Sequence, residues 1–334
     1  MKLQVNLETT KYDIILKEGV LSSLNQYLNL KRKVMIISDC GVPSTYIDCA
    51  LNQCPKGFTY IVEQGESSKS LATYQKICEA LLEKQFTRKD LILAIGGGVV
   101  GDLSGFVAAT YMRGIDFVNI PTTTLSQIDS SIGGKVGINL DQVKNILGCF
   151  YQPKMVLIDP LVLKTLPHRH YINGLIEAIK AGLIYDPVLF ECFEEENIDM
   201  QLTTIIERSL QVKKSVVEQD EKEQHLRKIL NFGHTIGHGL ETLYGLHDLL
   251  HGEAVALGML YFIENEPLKK RVEKIYDRLG IKKDIPYNKD ELWEFIKNDK
   301  KATNSTISVV VVSQLGKAQI KEMSFDELKT YLKG

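Results

Sequence analysis

Three groups of residues in this chain have the types and spacing of a chemical site. The first is a glycine-rich turn, Gly96-Gly97-Gly98-Val99-Val100-Gly101-Asp102, directly after an apolar run. Glycines let a backbone approach a pyrophosphate closely, and the N–H groups opening a following helix attract an anion. The pattern departs from G-x-G-x-x-G, and by itself it reads equally as a tight strand-to-helix turn. Two neighbours tilt it towards a nucleotide. Asp39 ends an earlier apolar run, where an acidic residue accepts hydrogen bonds from a ribose. Pro121-Thr122-Thr123-Thr124 brings hydroxyls to the end of another. The second group, Asp129-Ser130-Ser131-Ile132-Gly133-Gly134-Lys135, offers a cation to an anionic substrate.

The third group is rich in imidazole. Five of the seven histidines, His225, His234, His238, His247 and His251, fall within one short stretch. His234 and His238 are four apart and share a helix face, and His247 and His251 repeat that spacing. A catalytic zinc-like ion takes about three protein ligands and keeps an open position. Two histidines and a carboxylate would serve, and spacing alone leaves both couples open. His225 and His247 read as surface or packing residues. The candidate carboxylates are Glu177, Glu241 and Glu253. Glu177 stands in the apolar stretch Asn173-Gly174-Leu175-Ile176-Glu177-Ala178-Ile179-Lys180, and a buried carboxylate needs a cation beside it. Lys180, three residues on, shares its face; the plain alternative is a surface ion pair. A nucleotide, a Lewis acid and cations together point to redox chemistry on a phosphorylated or carboxylated polyol.

Positioning these groups takes two kinds of architecture. Strand signals at Lys33–Ser38, Phe58–Val62, Leu91–Ile95, Phe117–Ile120 and Met155–Ile158 alternate with helical spacing at Ser70–Lys84 and Gly101–Met112. That alternation implies parallel pairing with right-handed crossovers. From about residue 166 the texture turns helical: Ile172–Leu183, Thr203–Glu218, Arg227–Tyr244, Glu253–Ile263, Lys269–Leu279 and Lys289–Asn298. Only Ile307–Val312 reads as a strand there, and Asp284–Lys289 reads as a loop around Pro286. The expectation is a Rossmann-like α/β nucleotide-binding domain over residues 1–166 and a mainly α-helical metal- and substrate-binding domain over 167–334, with the active site in the cleft between them.

Composition narrows the class. With 334 residues, a formal net charge of -2, 44% apolar and 25% charged residues, the chain reads as an ordinary soluble protein and not as an electrostatic nucleic-acid binder. Its six cysteines form no Cys-x-x-Cys pair and read as reduced thiols of a cytoplasmic protein. The N-terminus has no signal-peptide core, and no apolar run reaches the roughly 20 residues of a bilayer span.

Taken together, Gly96 to Asp102, Arg113, Asp129 to Lys135, Lys144-Asn145, Glu177 to Lys180, Asn231 to His238 and His251-Gly252-Glu253 resemble the 3-dehydroquinate synthase family, from about Asp39 to Lys301. The glycine turn alone is shared with metal-dependent polyol dehydrogenases. The resemblance implies NAD, one Zn2+ or Co2+ ion, and conversion of 3-deoxy-D-arabino-heptulosonate 7-phosphate to 3-dehydroquinate and phosphate. It implies Glu177, His234 and His251 as metal ligands, unlike the simple helical pair, with His238 shuttling a proton. It places Asp39, Glu66, Lys69, Gly97, Gly98, Asp102, Thr122, Thr123 and Thr165 at NAD, with Lys135 and Lys144 close to it. Asp129, Lys135, Lys144, Asn145, Lys180, Lys213, Arg227 and Asn231 would hold the substrate, and Arg113 would reach a neighbouring subunit's site in a homodimer. Asp299-Lys300-Lys301 matches a late lysine motif, with either lysine able to reach phosphate.

The chemistry explains the set. Phosphate leaves only if a neighbouring C–H is acidic, and a ketone acidifies it where an alcohol does not. Oxidation by NAD makes the ketone, a Lewis acid stabilises the alkoxide that precedes it, and an imidazole relays the proton. The resemblance implies that the hydride later returns, the ring opens, and an internal aldol step closes the carbocycle. Rival readings are another sugar-phosphate cyclase, a metal- and NAD-dependent polyol dehydrogenase, and an inactive NAD-binding scaffold.

Overall fold

The structure, a computed structural model, describes residues 1–8, 10–141, 143–300 and 306–333, without the side chains of 246, 247, 298–300 and 333. It divides into two compact units, Met1–Tyr171 and Ile172–Gly334.

The first unit is α/β. Its strands are β1 (Lys2–Asn6), β2 (Lys11–Leu16), β3 (Lys33–Asp39), β4 (Lys56–Val62), β5 (Leu91–Gly96), β6 (Asp116–Pro121), β7 (Lys135–Leu140), β8 (Val143–Phe150) and β9 (Met155–Ile158). Its helices are α1 (Ser44–Leu51), α2 (Leu71–Glu83) and α3 (Gly98–Thr110). Seven strands form one sheet in the order β1-β2-β9-β6-β5-β3-β4. Every pair is parallel except β1 with β2. The central strands are apolar on both faces, as a sheet covered on both sides requires. Val34, Ile36, Leu91, Leu93 and Ile95 pack on one side with Leu24 and Ile47. Met35, Ile37, Ile92 and Ala94 pack on the other with Ile77, Leu81, Leu103 and Val107.

Register brings the nucleotide candidates to one edge. Gly96 pairs with Pro121, and Ile37 pairs with Ala94, so β3, β5 and β6 end side by side at Asp39, Gly96 and Pro121. This is the carboxyl edge at which α/β sheets bind ligands.

Several expectations need correction here. The glycine-turn helix begins at Gly98 and not at Gly101, because the Gly101 N–H already donates to the Gly97 carbonyl at 3.0 Å. It ends at Thr110; Met112 and Arg113 form a separate turn with left-handed backbone, φ 52° and 64°. The lysine stretch runs into an antiparallel hairpin, β7–β8, which the strand reading missed.

The second unit is mainly helical, as expected. It holds most of α4 (His168–Ile184), then α5 (Pro187–Cys192), α6 (Ile198–Gln219), α7 (His234–Asp248), α8 (His251–Phe262), α9 (Glu266–Leu279), α10 (Lys289–Lys300) and α11 (Phe325–Lys333). The expected strand, β10 (Thr306–Gln314), has an antiparallel partner that the sequence reading lacked, β11 (Lys317–Ser324). The expected Arg227–Tyr244 helix is two pieces. A tight turn over Leu226–Asn231 stops at Phe232, Gly233 turns left-handed at φ 79°, and α7 starts at His234. A Cβ at Gly233 would lie 2.7 Å from the Val255 carbonyl, so α8 decides the break. No helix among the described residues is long and apolar enough to cross a membrane.

Candidate active site

In the first unit, α3 opens on bare backbone. A Cβ at Gly97 would meet Thr123 Cγ2 at 3.0 Å, and one at Gly98 would meet Ser130 Oγ at 3.1 Å. The two glycines therefore let the turn after β6 close down on the start of α3, where N–H groups attract an anion. The Thr122 N–H donates to the Gly96 carbonyl at 2.9 Å, and the Thr123 and Ser126 hydroxyls pair at 2.8 Å. Asp39 is buried and accepts the Gly41 N–H at 2.8 Å; burial raises its pKa. Thr165 donates to the Val162 carbonyl at 3.1 Å and lies 3.0 Å from the Tyr46 hydroxyl.

Beside this edge sits a buried ammonium. Lys69 Nζ lies 2.8 Å from Asp102 Oδ2 and 3.5 Å from Glu66 Oε1, and it also donates to Asn145 Oδ1. Burial works against its charge, but the two carboxylates outweigh it and raise the pKa. Asn139 ties the group together: its amide donates to Glu66 Oε1 at 2.9 Å and its Oδ1 accepts the Asn145 N–H at 2.8 Å. Glu66, Lys69, Asp102 and Asn145 thus form one network, though the sequence reading divided them between nucleotide and substrate. Asn139 was missed because its role depends on the hairpin. Lys135 begins β7, Lys144 lies on the exposed side of β8, Asp129 sits in the wide turn Ser126–Ser130, and Arg113 is exposed.

In the second unit, three helices converge on Glu177. This carboxylate is 3% exposed, and the groups facing its oxygens are an ammonium and two imidazoles. His251 Nε2 is 3.7 Å and His234 Nε2 3.9 Å from Glu177 Oε1, and Lys180 Nζ contacts Oε2. The other ring nitrogens are engaged: His234 Nδ1 with the Phe232 carbonyl and His251 Nδ1 with Glu241 Oε2, both at 3.1 Å. That arrangement puts protons on Nδ1 and turns both Nε2 atoms inward, where His251 offers a lone pair once its Nε2 proton is displaced. One donor atom from each of Glu177, His234 and His251 lies within 4.8 Å of the others. Ligand atoms around a tetrahedral ion about 2 Å from each stand roughly 3.3 Å apart, so the set fits a divalent cation.

The local charges match that reading. Burial opposes ionisation of Glu177, yet Lys180, His251 and His234 hold it well below the ordinary carboxylate range. Burial, then Lys180, push His234 well below its usual value. Burial would lower His251 too, but its bonds to Glu177 and Glu241 push it up to about 9.

The sequence spacing leaves two couples open, His234 with His238 and His247 with His251; the structure groups one histidine from each at Glu177. His238 stacks edge-on to His234, ring centres 5.2 Å apart, while the cluster around Glu177 takes its second imidazole from His251. A second grouping, His238, Glu241 and His251, also lies within metal-binding reach. Because Glu241 already holds His251 Nδ1, we read it as the outer partner of a ligand. Glu253 accepts the Leu250 N–H at 2.9 Å and caps α8. Lys213 and Arg227 are buried. Arg227 Nη1 donates to the Glu221 carbonyl at 2.5 Å, and Asn231 donates to Glu223 Oε1 at 2.7 Å. Asp220, which the sequence reading passed over, accepts the N–H groups of Gln224, His225 and Arg227 at 2.9, 2.7 and 2.9 Å and shapes the turn into Arg227. Lys301 and the side chains of His247, Asp299 and Lys300 lie outside the described residues.

A parallel-sheet α/β unit followed by a helix-rich unit is the architecture of the sugar-phosphate cyclases related to dehydroquinate synthase. A solved 2-deoxy-scyllo-inosose synthase, complexed with carbaglucose-6-phosphate, NAD+ and Co2+, is 25% identical, with a TM-score of 0.88 over 99% of both chains. The 2-epi-5-epi-valiolone synthase of Streptomyces hygroscopicus subsp. jinggangensis, with NAD+ and Zn2+ bound, is 27% identical, with a TM-score of 0.87 over 98% of this chain and 97% of that one. Family models described as 3-dehydroquinate synthase N-terminal and C-terminal match residues 59–173 and 174–302. A 3-dehydroquinate synthase of Streptococcus thermophilus is 42% identical over 99% of both chains. The chain belongs to the 3-dehydroquinate synthase family.

Proposed function

We propose that this enzyme converts 3-deoxy-D-arabino-heptulosonate 7-phosphate to 3-dehydroquinate and phosphate, with NAD and one divalent ion, as a cytoplasmic homodimer. The observation that carries the reading is Glu177, buried, with Lys180 against one oxygen and the Nε2 atoms of His234 and His251 facing the other. The likeness to dehydroquinate synthases, at 42%, exceeds that to the inosose and valiolone synthases, at 25% and 27%, and favours this substrate over theirs.

When bound, NAD takes up and returns a hydride, and the ion is a Lewis acid for the substrate's hydroxyl and carbonyl oxygens. The chain supplies the rest. Gly97, Gly98, Thr122, Thr123 and Asp39 hold the nucleotide at the sheet edge, with Glu66, Lys69, Asp102 and Thr165 around it. Lys135, Lys144, Lys180, Lys213 and Arg227 neutralise a substrate carrying both carboxylate and phosphate. Asp129, Asn145 and Asn231 orient its hydroxyls. His238, beside both ligand imidazoles, takes the hydroxyl proton released on oxidation and later returns one. The substrate's own phosphate serves as the base for its departure. Two features support the dimer. Arg113 projects from a left-handed turn, and Val143, Ile146 and Phe150 of β8 expose apolar surface at 53%, 58% and 43%.

The test is incubation with the heptulosonate phosphate, following phosphate and carbocyclic product together. Equal amounts of both, with no steady-state NADH, are expected. Net NADH would instead mark a polyol dehydrogenase, and turnover of a hexose phosphate alone would mark another cyclase. Lys135→Ala should abolish most turnover while NAD still binds, and His234→Ala should remove the metal.

A further inference from the structure

We infer that Asn173 is a positioning residue for the metal centre: a cap supplied by one ligand-bearing helix to another, which sets the separation of Glu177 and His251. The inference rests on the metal reading above.

Helix α8 begins at His251 with Leu250 in the capping position. A helix leaves its first N–H groups without internal partners, and a Ser, Thr, Asp or Asn at that position normally accepts them. Leu250 has no side-chain acceptor. Glu253 reaches back to the Leu250 N–H, which leaves the N–H groups of Gly252 and Glu253 to be satisfied. Asn173 Oδ1 takes both, at 2.7 and 3.3 Å, from another helix. Asn173 is 6% exposed and lies on α4 four residues before Glu177, so the two side chains share a face.

The contact is tight at the backbone as well. A Cβ at Gly252 would lie 2.1 Å from the Asn173 carbonyl oxygen, so no larger residue fits. Glycine at 252 and the amide at 173 thus bring the first turn of α8 onto α4. His251, the residue before Gly252, lands with Nε2 3.7 Å from Glu177 Oε1. A local cap at position 250 would satisfy the same N–H groups but would leave α8 untied to α4. The borrowed cap does both.

The experiment separates capping from positioning. Affinity for Zn2+ is measured by chelator competition and the visible spectrum of the Co2+ form is recorded. Melting temperature and the emission of the single tryptophan, Trp293, report folding of the helical unit. Asn173→Ala should lower the melting temperature, weaken Zn2+ about tenfold or more and change the Co2+ spectrum. Adding Leu250→Ser should restore the melting temperature, because α8 regains a local cap, but not the affinity or the spectrum. Asn173→Asp keeps an acceptor and should keep both. Gly252→Ala keeps the Asn173 amide but wedges α8 away from it, and should weaken Zn2+ as Asn173→Ala does. Recovery of affinity in the Leu250→Ser double variant, or wild-type affinity and spectrum in Gly252→Ala, overturns the inference. Absence of any stoichiometric metal in the unaltered protein overturns the metal reading itself.

Discussion

Lys180→Met isolates the electrostatics of the buried centre. Lys180 and Glu177 are each about 3% exposed, and their side chains are in contact. Breaking a buried pair by removing one partner costs about 3–5 kcal/mol. His251, protonated near neutrality and 3.7 Å from the other carboxylate oxygen, supplies part of the missing charge, so we take the lower figure, about 3 kcal/mol. For a unit of this size that lowers the melting temperature of the chelator-treated protein by roughly 6–12 °C. The metal-loaded protein should behave oppositely. An ion about 2 Å from Glu177 Oε1 stands roughly 5–6 Å from an ammonium on Oε2. At an effective dielectric constant of about 20, a divalent ion and that ammonium repel by about 6 kcal/mol. Glu241 and surrounding water screen most of this, so we expect Lys180→Met to bind Zn2+ at least tenfold more tightly, about 1.4 kcal/mol. Thermal unfolding with and without metal, and chelator competition, measure the two effects, while turnover should fall for a separate reason if Lys180 holds the substrate as proposed. Weaker metal binding in the variant would refute the reasoning, because Lys180 would then support the ion and not compete with it.

In chelator-treated protein the raised pKa of His251 stabilises the fold fully below about pH 6.5, its unfolded value, and this contribution disappears as pH rises through about 9; urea titrations across that window should show the decline, and a flat profile would contradict the Glu177–His251–Glu241 chain. Metal must displace the same proton, so Zn2+ affinity should climb between pH 7 and 9 when measured in metal buffers. Gly258→Ala would place a Cβ 2.0 Å from the Gly233 carbonyl oxygen, so α7 and α8 must separate; a loss of about 3 kcal/mol in urea unfolding is expected, and wild-type stability would mean the contact is slack. Lys69→Met leaves Asp102 and Asn145 without their common donor; with Asp102 25% exposed we expect about 3 kcal/mol of destabilisation by thermal unfolding, and less than 1 kcal/mol would show that water replaces the ammonium.

How legible these features are in the sequence depends on where their cause lies. The central strands are plain because both faces are buried, so β3 and β5 are continuous apolar runs. The β7–β8 hairpin is obscure because β8 is largely exposed and its periodicity carries no burial signal. The break before α7 is invisible to periodicity, since apolar spacing continues across Phe232-Gly233 and the cause is the backbone of α8. The metal cluster shows the same division. Histidine spacing offers His234 with His238 and His247 with His251, whereas the structure groups His234 with Glu177 of α4 and His251 of α8. No spacing rule links residues 177, 234 and 251; family resemblance named them, and packing explains them. Glu253 looked like a ligand by composition and is a helix cap.

The glycines between α7 and α8 bear on which ions the centre accepts. Gly233, Gly237 and Gly258 bring the two helices together main chain to main chain. Apart from Met259 against Gly233, the nearest atoms at that seam are backbone, so the spacing of the two imidazoles is held like one jaw of a vice. Glu177, with its three rotatable bonds, is the other jaw. Ions of slightly different radius would be accommodated by turning one carboxylate, with both histidine helices left where they stand.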